Sequence, residues 1–259
     1  MTCRFMTWNI KTGGTDRDGT DRLEAITTVL DQQRPDILAL QELESFDDRR
    51  LRELADAIGM TPHLAGSAYG QPVAVLVRPP LRMAGLSHLR WGMHHAAAGA
   101  VVPTEAGPLT VVSTHLNPHS PTKRRREARR IAKRYRSELV LVAGDLNTLE
   151  PGGEHADALA RLPEQFRKRH LRRGGEVDTR PVAVLLAAGL RDLWTAAGNG
   201  AGHTAPTSAG GGHEFSGMRL DYVLGSAPVA ARAKTAHVIR GGAAEYASDH
   251  YPVIVELAL

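Results

Sequence analysis

The sequence predicts an α/β fold, and three observations carry that prediction. Apolar, largely β-branched runs of strand length end in a polar residue, as in Val140-Leu141-Val142-Ala143-Gly144-Asp145. Between such runs lie segments whose apolar residues recur at helical spacing, as Leu23, Ile26, Val29 and Leu30 do. The 259 residues suffice for a large core, and no internal repeat or linker divides them. The expected organisation is one domain over residues 1–259.

Residues 4–10 read as a first strand carrying Asn9, followed by a Gly/Thr/Asp loop over 11–20. Helical spacing gives a helix over 21–33, with Thr20 or Asp21 as its cap. Pro35 ends that helix, and 36–41 form a buried strand delivering Glu42. Leu51, Leu54, Ala55 and Ile58 share one face of a second helix over 47–58, stopped by Gly59. Residues 73–78 are a strand broken by Pro79-Pro80, and the weakly patterned stretch 81–102 holds one or two more. A strand over 109–114 delivers His115, and a helix over 123–136 leads into a strand buried on both faces. Gly144 permits a turn at its end, and Asp145 and Asn147, two apart on an extended backbone, are expected to emerge side by side. Residues 152–180 are a polar, basic connection, 181–188 a helix and 196–217 a loop. A strand over 219–224 carries Asp221, and a last strand over 253–257 follows Ser248-Asp249-His250.

No apolar run approaches the roughly 20 residues of a membrane span. No signal-peptide pattern opens the chain, and Cys3 is its only cysteine, so a cytoplasmic, reducing setting is expected, with a monomer favoured. The net charge of +4 conceals two basic windows. Residues 123–136 and 161–180 together hold sixteen basic residues against four acids, a net of +12, while the rest holds sixteen against twenty-four, a net of −8. Such segments suit a polyanion, with solvated surface as the alternative.

Asn9, Glu42, His115, Asp145, Asn147, Asp221, Asp249 and His250 each stand at or near a strand end. A single strand-end Asp is ordinarily a turn former. Eight acids, amides and imidazoles in this position imply that one rim of the sheets gathers them. The segments Thr7-Trp8-Asn9-Ile10, Ala39-Leu40-Gln41-Glu42, Ser113-Thr114-His115-Leu116-Asn117, Ala143-Gly144-Asp145-Leu146-Asn147, Arg219-Leu220-Asp221-Tyr222-Val223 and Ser248-Asp249-His250-Tyr251-Pro252 occur in that order. This pattern resembles the endonuclease/exonuclease/phosphatase superfamily, which includes deoxyribonuclease I and the AP endonucleases. The resemblance runs from Thr7 to Pro252 and implies a four-layer α/β/β/α sandwich, two mixed sheets packed face to face with helices outside. It also implies a metal-dependent phosphoric ester hydrolase.

The residues bear that chemistry. Glu42 is a hard carboxylate suited to Mg²⁺ or Mn²⁺, with Asp249 as a further ligand and Asn9 orienting the carboxylate or contacting the phosphate. Asp221 and His250 are an orienting carboxylate and its imidazole. Asp145 and Asn147 would hold the attacking water or a phosphate oxygen, and His115 would hydrogen-bond the phosphate or act as an acid. Lys11 stands where AP endonucleases carry an Asp, and His115 where they place a Tyr, which favours the deoxyribonuclease I side of the family. Arg124, Lys11, Asn117, Arg169, Arg172 and Arg173 are the expected substrate-binding residues.

The leading expectation is a nuclease that cleaves DNA through charge, with little sequence preference. The alternatives are a phosphoesterase for phosphoinositides, sphingomyelin or a small phosphorylated metabolite, and an inactive nucleic-acid-binding module. His94 and His95 read as loop residues, His119 as a rim residue, and Trp91 and Trp194 as core.

Overall fold

The computed structural model describes residues 2–259. Among the described residues there are twelve strands and eight short to medium α-helices. They include every predicted strand and helix and add three strands, at Thr61–Ala65, Leu190–Asp192 and Ala233–Val238, and four short helices, at Ala156–Ala160, Glu164–Arg167, Leu193–Ala197 and Ala227–Ala230. Strand β1 is Thr2–Asn9, β2 Ile37–Gln41, β3 Thr61–Ala65, β4 Val73–Val77, β5 Gly85–Leu89 and β6 Ala97–Thr104. Strand β7 is Gly107–Thr114, β8 Leu139–Asp145, β9 Leu190–Asp192, β10 Asp221–Ser226, β11 Ala233–Val238 and β12 Val253–Ala258. Among the described residues these make two six-stranded sheets, ordered β11-β12-β1-β2-β4-β3 and β5-β6-β7-β8-β10-β9. The β1–β2 and β7–β8 pairs are parallel and the others antiparallel, so both sheets are mixed, as expected.

Alternation within the strands builds the layers. Phe5, Ile37, Ala39 and Val75 face inward from the first sheet and meet Ala98, Val111, Leu141 and Val223 of the second. The intervening residues face outward and are also buried. Met6, Trp8, Leu38 and Leu40 pack against Ile26, Val29 and Leu30 of α1 (Leu23–Gln33) and Leu51 and Leu54 of α2 (Asp48–Ala57). On the far side, Val112, Val140, Val142 and Leu224 pack against Ala128 and Ile131 of α3 (Pro121–Arg134). The remaining long contact there comes from Val182 and Leu185 in a helix over Arg180–Ala187. Burial on two faces is why the central strands read as unbroken apolar runs.

The first helix starts two residues later than predicted, with Arg22 at its N-cap and Asp21 just before it. Asp21 accepts the Leu23 amide at 2.8 Å, Asp47 accepts from Arg50, and Ser120 accepts from Lys123 with Pro121 in the first turn. Departures concentrate at edges. Strands β3 and β11 carry no two-sided apolar run: β3 contains Pro62 and His63, and β11 has a register shift between Ala233 and Thr235. The stretch 81–102 resolves into β5 and β6, and the connection 152–180 contains two short helices, Ala156–Ala160 and Glu164–Arg167. Trp91 is not core: it is 84 % exposed.

Topology fixes where the strand ends go. The parallel strands β1, β2, β7 and β8 all finish on one rim. Strand β10 runs opposite to β8, pairing Asp221 with Asp145, so it begins on that rim. Strand β12 runs opposite to β1, pairing Val253 with Thr7, so the Ser248-Asp249-His250 segment precedes it on the same rim.

Gly144 enforces the closest approach beneath this rim. Its φ is +135°, and a Cβ there would sit 1.9 Å from the Thr114 carbonyl oxygen of β7. Gly144→Ala should therefore destabilise the fold by about 3 kcal/mol, combining backbone strain with a separation of β7 from β8. A urea unfolding midpoint equal to that of the wild type would contradict this.

Candidate active site

The rim surrounds a cavity of about 560 Å³ whose walls include Lys11, Glu42, His115, Asp145, Asn147, Arg169, Phe215, Asp249 and His250. Asp145, at the end of β8, is its buried centre. Its Oδ2 accepts the Asn9 amide at 3.1 Å and lies 3.4 Å from His115 Nε2 and 3.8 Å from His250 Nε2. Its Oδ1 accepts the Asn147 backbone N–H at 2.8 Å.

That last bond corrects one expectation. Asp145 and Asn147 do converge, but not by strand alternation. Asn147 lies beyond the strand in a left-handed conformation, φ +51°, and its side-chain amide donates to His115 Nε2 at 2.8 Å and to the Leu116 carbonyl at 3.0 Å. Glu42 also adopts a left-handed conformation, φ +57°, which few glutamates tolerate. Its two oxygens accept Asn9 Nδ2 at 2.9 Å and the Thr12 N–H at 3.1 Å. These fixed partners hold the strained residue with its carboxylate toward the cavity.

Asn9 and Asp221 lie behind the wall. Asn9 is fully buried, and its amide spans Glu42 and Asp145 while its oxygen accepts the Lys11 N–H at 3.0 Å. Asp221 Oδ2 pairs with His250 Nδ1 at 2.7 Å. The His250 carbonyl accepts the Trp8 indole N–H at 2.8 Å, and the Phe215 ring meets the imidazole edge-on at 5.0 Å.

The two site histidines are driven in opposite directions. Burial lowers His115 to about 3, and nearby His250 adds to the effect, so the ring is neutral. Burial opposes the charged form of His250 as well, but the Asp221 and Asp145 carboxylates outweigh it and hold this imidazole well above its ordinary range. Asp145 is raised to about 7, chiefly by burial; His250 pulls it back down, while Asp221 and Glu42 push it further up.

Sequence reasoning did not find every part of the site. His95, two residues before β6, is buried and stacks on His115 with ring centroids 4.2 Å apart. Gln41 donates to Ser113 Oγ at 3.0 Å, and Ser113 donates to the Leu40 carbonyl at 3.0 Å, tying the two sheets beneath the cavity. No periodicity marks either interaction. Glu42 delivered beside Gln41 was the one available signal for the second.

The expected substrate-binding set divides. Lys11 and Arg169 line the cavity; Lys11 lies 3.4 Å from Asp16, and Arg169 donates to Glu214 at 2.7 Å. Arg124, Asn117, Arg172 and Arg173 do not reach it. Arg124 is fully buried in α3 and donates to the carbonyls of Asn117, Pro118 and Arg169. Asn117 Oδ1 accepts the backbone N–H groups of His119 and Ser120, organising the turn into α3. Arg172 pairs with Glu176, and Arg173 is exposed outside the cavity.

The model of the Endonuclease/Exonuclease/phosphatase family matches residues 6–250. The chain belongs to that family. Solved structures with this fold include an endonuclease/exonuclease/phosphatase from Bacteroides vulgatus, with 16 % identity and TM-score 0.74 over 100 % of this chain and 99 % of that one. A humanized D. rerio TDP2 gives 19 % identity and TM-score 0.72 over 100 % and 99 %. The mannosyl-6-phosphatase Bt3783 of Bacteroides thetaiotaomicron gives 14 % identity and TM-score 0.72 over 99 % and 100 %. No curated protein matches the sequence.

Enzymes of the endonuclease/exonuclease/phosphatase family hydrolyse phosphoesters and generally depend on a divalent metal, and the acids here fit a hard cation. Oxygen atoms of Glu42 and Asp145 and a His115 nitrogen lie within 4.8 Å of one another. Asp249, raised by burial and by Glu42, faces the same space. Buried carboxylates that repel one another are relieved by a divalent ion with oxygen preference.

Two outcomes follow from this geometry. In metal-free protein, Asp221→Asn should lower the His250 titration midpoint, read from its imidazole NMR signals; an unchanged midpoint would remove Asp221 as the cause. Below the ordinary histidine range the charged pair contributes its full stabilisation, which fades as pH rises through the elevated His250 value. Arg124→Ala should cost about 3 kcal/mol in denaturant unfolding, because it leaves buried carbonyls unpaired. Wild-type stability in that variant would refute the buried role.

Proposed function

We propose that the protein is a Mg²⁺- or Mn²⁺-dependent phosphodiesterase acting on DNA with little sequence preference. The observation that carries this reading is the convergence of Glu42, Asp145 and Asp249 with a cationic His250 on one open cavity. Arg17, exposed at its wall and in no ion pair among the described residues, supplies charge for a phosphate backbone. Lys11 and Arg169 beside it are each held by one acid, Asp16 and Glu214, and no pattern of base-reading groups is present among the described residues.

Glu42 and Asp249 would hold the cation, with Asn9 keeping the Glu42 carboxylate aimed at it. When bound, the cation would neutralise the phosphoryl charge and stabilise the leaving oxygen. Asp145 accepts a proton from the attacking water, a role suited to a carboxyl near neutrality. Asn9 and the Asn147 backbone N–H fix that carboxylate, and through it the direction in which the water is held. His250 presents Nε2–H to a phosphoryl oxygen, while Asp221 keeps its proton in place on Nδ1. His115, neutral and bonded to Asn147, serves as a hydrogen-bonding wall rather than an acid.

A second reading, hydrolysis of a small phosphorylated metabolite, is favoured by the cavity volume of about 560 Å³, the size of a small-ligand site. Incubation with Mg²⁺ or Mn²⁺ and either supercoiled plasmid or a panel of phosphomonoesters separates the two. Nicking is the expected result; phosphate release from a monoester without nicking would select the second reading. Glu42→Ala and Asp145→Asn should each lower the nicking rate by about 10³-fold while far-ultraviolet circular dichroism stays native. Near-normal turnover by either folded variant would refute its assigned role.

A further inference from the structure

The two basic windows differ in what their cations do. In 161–180 four of seven cations are paired, Lys168 with Glu164 at 2.6 Å, Arg169 with Glu214 at 2.7 Å, Arg172 with Glu176 and Arg180 with Asp178. Arg161, Arg167 and Arg173 are left without an ion pair among the described residues. On α3, by contrast, Lys123, Arg126, Arg129, Arg130, Lys133 and Arg134 are exposed and form no ion pair among the described residues. The one acid of this helix, Glu127, is buried, and its oxygens accept the His94 and Asn117 backbone N–H groups at 2.7 Å each. Like charges at helical spacing repel one another unless an anion lies across them.

Lys123, Arg126 and Arg130, spaced three and four apart, line a concavity of about 260 Å³ with His94 and Asn117. It adjoins the catalytic cavity: Asn117 lines the first and Pro118 the second, and the His119 ring stands edge-on to His94 at 5.9 Å. At its outer end the Arg130 guanidinium lies over Gly92, so close that any side chain there would collide with it. Next to Gly92 stands Trp91, 84 % exposed and without a ring or cation partner among the described residues. Tyr69, the exposed aromatic that lines this concavity, already stacks on His94 at 4.4 Å, whereas Trp91 stands just outside the lining, one residue before Gly92.

We propose that this concavity is a subsite for single-stranded nucleic acid, continuing from the catalytic cavity past His119 along α3. Lys123, Arg126 and Arg130 neutralise phosphates flanking the scissile one, and Trp91 stacks on an unpaired base. The inference rests on the phosphodiesterase reading for its anchor, because the scissile phosphate occupies the neighbouring cavity. Charge complementarity selects a polyanion, and a free indole face selects bases that are not already stacked in a duplex.

The test measures anisotropy of a short labelled oligothymidylate in EDTA, where no turnover occurs, across a salt series. Replacing both Arg126 and Arg130 by Ala should reduce the slope of log Kobs against log salt by about 1.4, the loss of two single-strand phosphate contacts. Trp91→Ala should weaken binding about tenfold and leave the slope unchanged. A duplex of the same length should bind more weakly than the single strand. An unchanged slope in the double variant, an unchanged affinity in Trp91→Ala, tighter binding of the duplex, or binding only to phosphatidylserine vesicles would each overturn the subsite. Plasmid nicking by wild-type protein reports on the catalytic reading separately. Absent nicking with the expected slopes would overturn that reading and uphold the subsite, whereas nicking with unaffected variants would do the reverse.

Discussion

The site depends on one buried amide. Asn9 stands at the end of β1 in the first sheet, yet its Nδ2 reaches Asp145 at the end of β8 in the second. The same group holds Glu42. A two-sheet sandwich otherwise joins its halves through non-directional apolar contact, which sets the spacing of the sheets but tolerates sliding. Hydrogen bonds to ionised acceptors are directional and stronger than neutral ones. With Gln41 and Ser113 closing the interface beneath, Asn9 registers one sheet against the other. The carboxylates from the two halves therefore share one cavity.

That registry creates an electrostatic conflict which the structure uses. Asp145, Asp221 and Glu42 are brought close together, and burial raises Asp145 toward neutrality. The conflict is only partly relieved by His250, whose charge is kept by carboxylates on two sides. His115, near the same Asp145 oxygen, stays uncharged because its surroundings are His95, Asn147 and apolar chain rather than a second acid. Two imidazoles at similar depth thus differ because only one has a dedicated carboxylate partner. The remaining negative charge faces the cavity, which is the condition a hard cation satisfies.

Much of this was legible from residue order. Central strands announce themselves because both faces are buried, and polar residues at their ends cannot belong to the same apolar pattern. Mixed topology then makes strand ends from distant parts of the chain neighbours, so Asn9, Glu42, His115, Asp145, Asp221 and His250 could be grouped before any contact was known. What escaped has a different physical origin. Edge strands such as β3 and β11 bury too little to leave a periodic trace. His95 owes its place at His115 to a loop conformation, and the left-handed backbone of Glu42 is imposed by its partners rather than by its own preference. Asp145 and Asn147 were grouped correctly for the wrong reason, since a turn bond rather than strand alternation brings them together.

Arg124 and Trp91 mark the limit of reading burial from residue type. Arg124 lies beside the apolar stripe of α3 and is drawn fully inside because three carbonyls at the start of that helix and in the neighbouring loop need donors. Trp91 is an indole in a turn between two strands, where no layer remains to cover it. Charge counting has a similar limit. The windows 123–136 and 161–180 look alike as strings of basic residues, but four of the seven cations in the second pair with Glu164, Glu176, Asp178 and Glu214. The first is a regular helix whose single acid points inward, so its outward face keeps its cations available. Available charge, not total charge, determines which surface a polyanion meets. That distinction requires the direction of each side chain, which helical periodicity supplies for α3 and an irregular connection does not supply for 152–180.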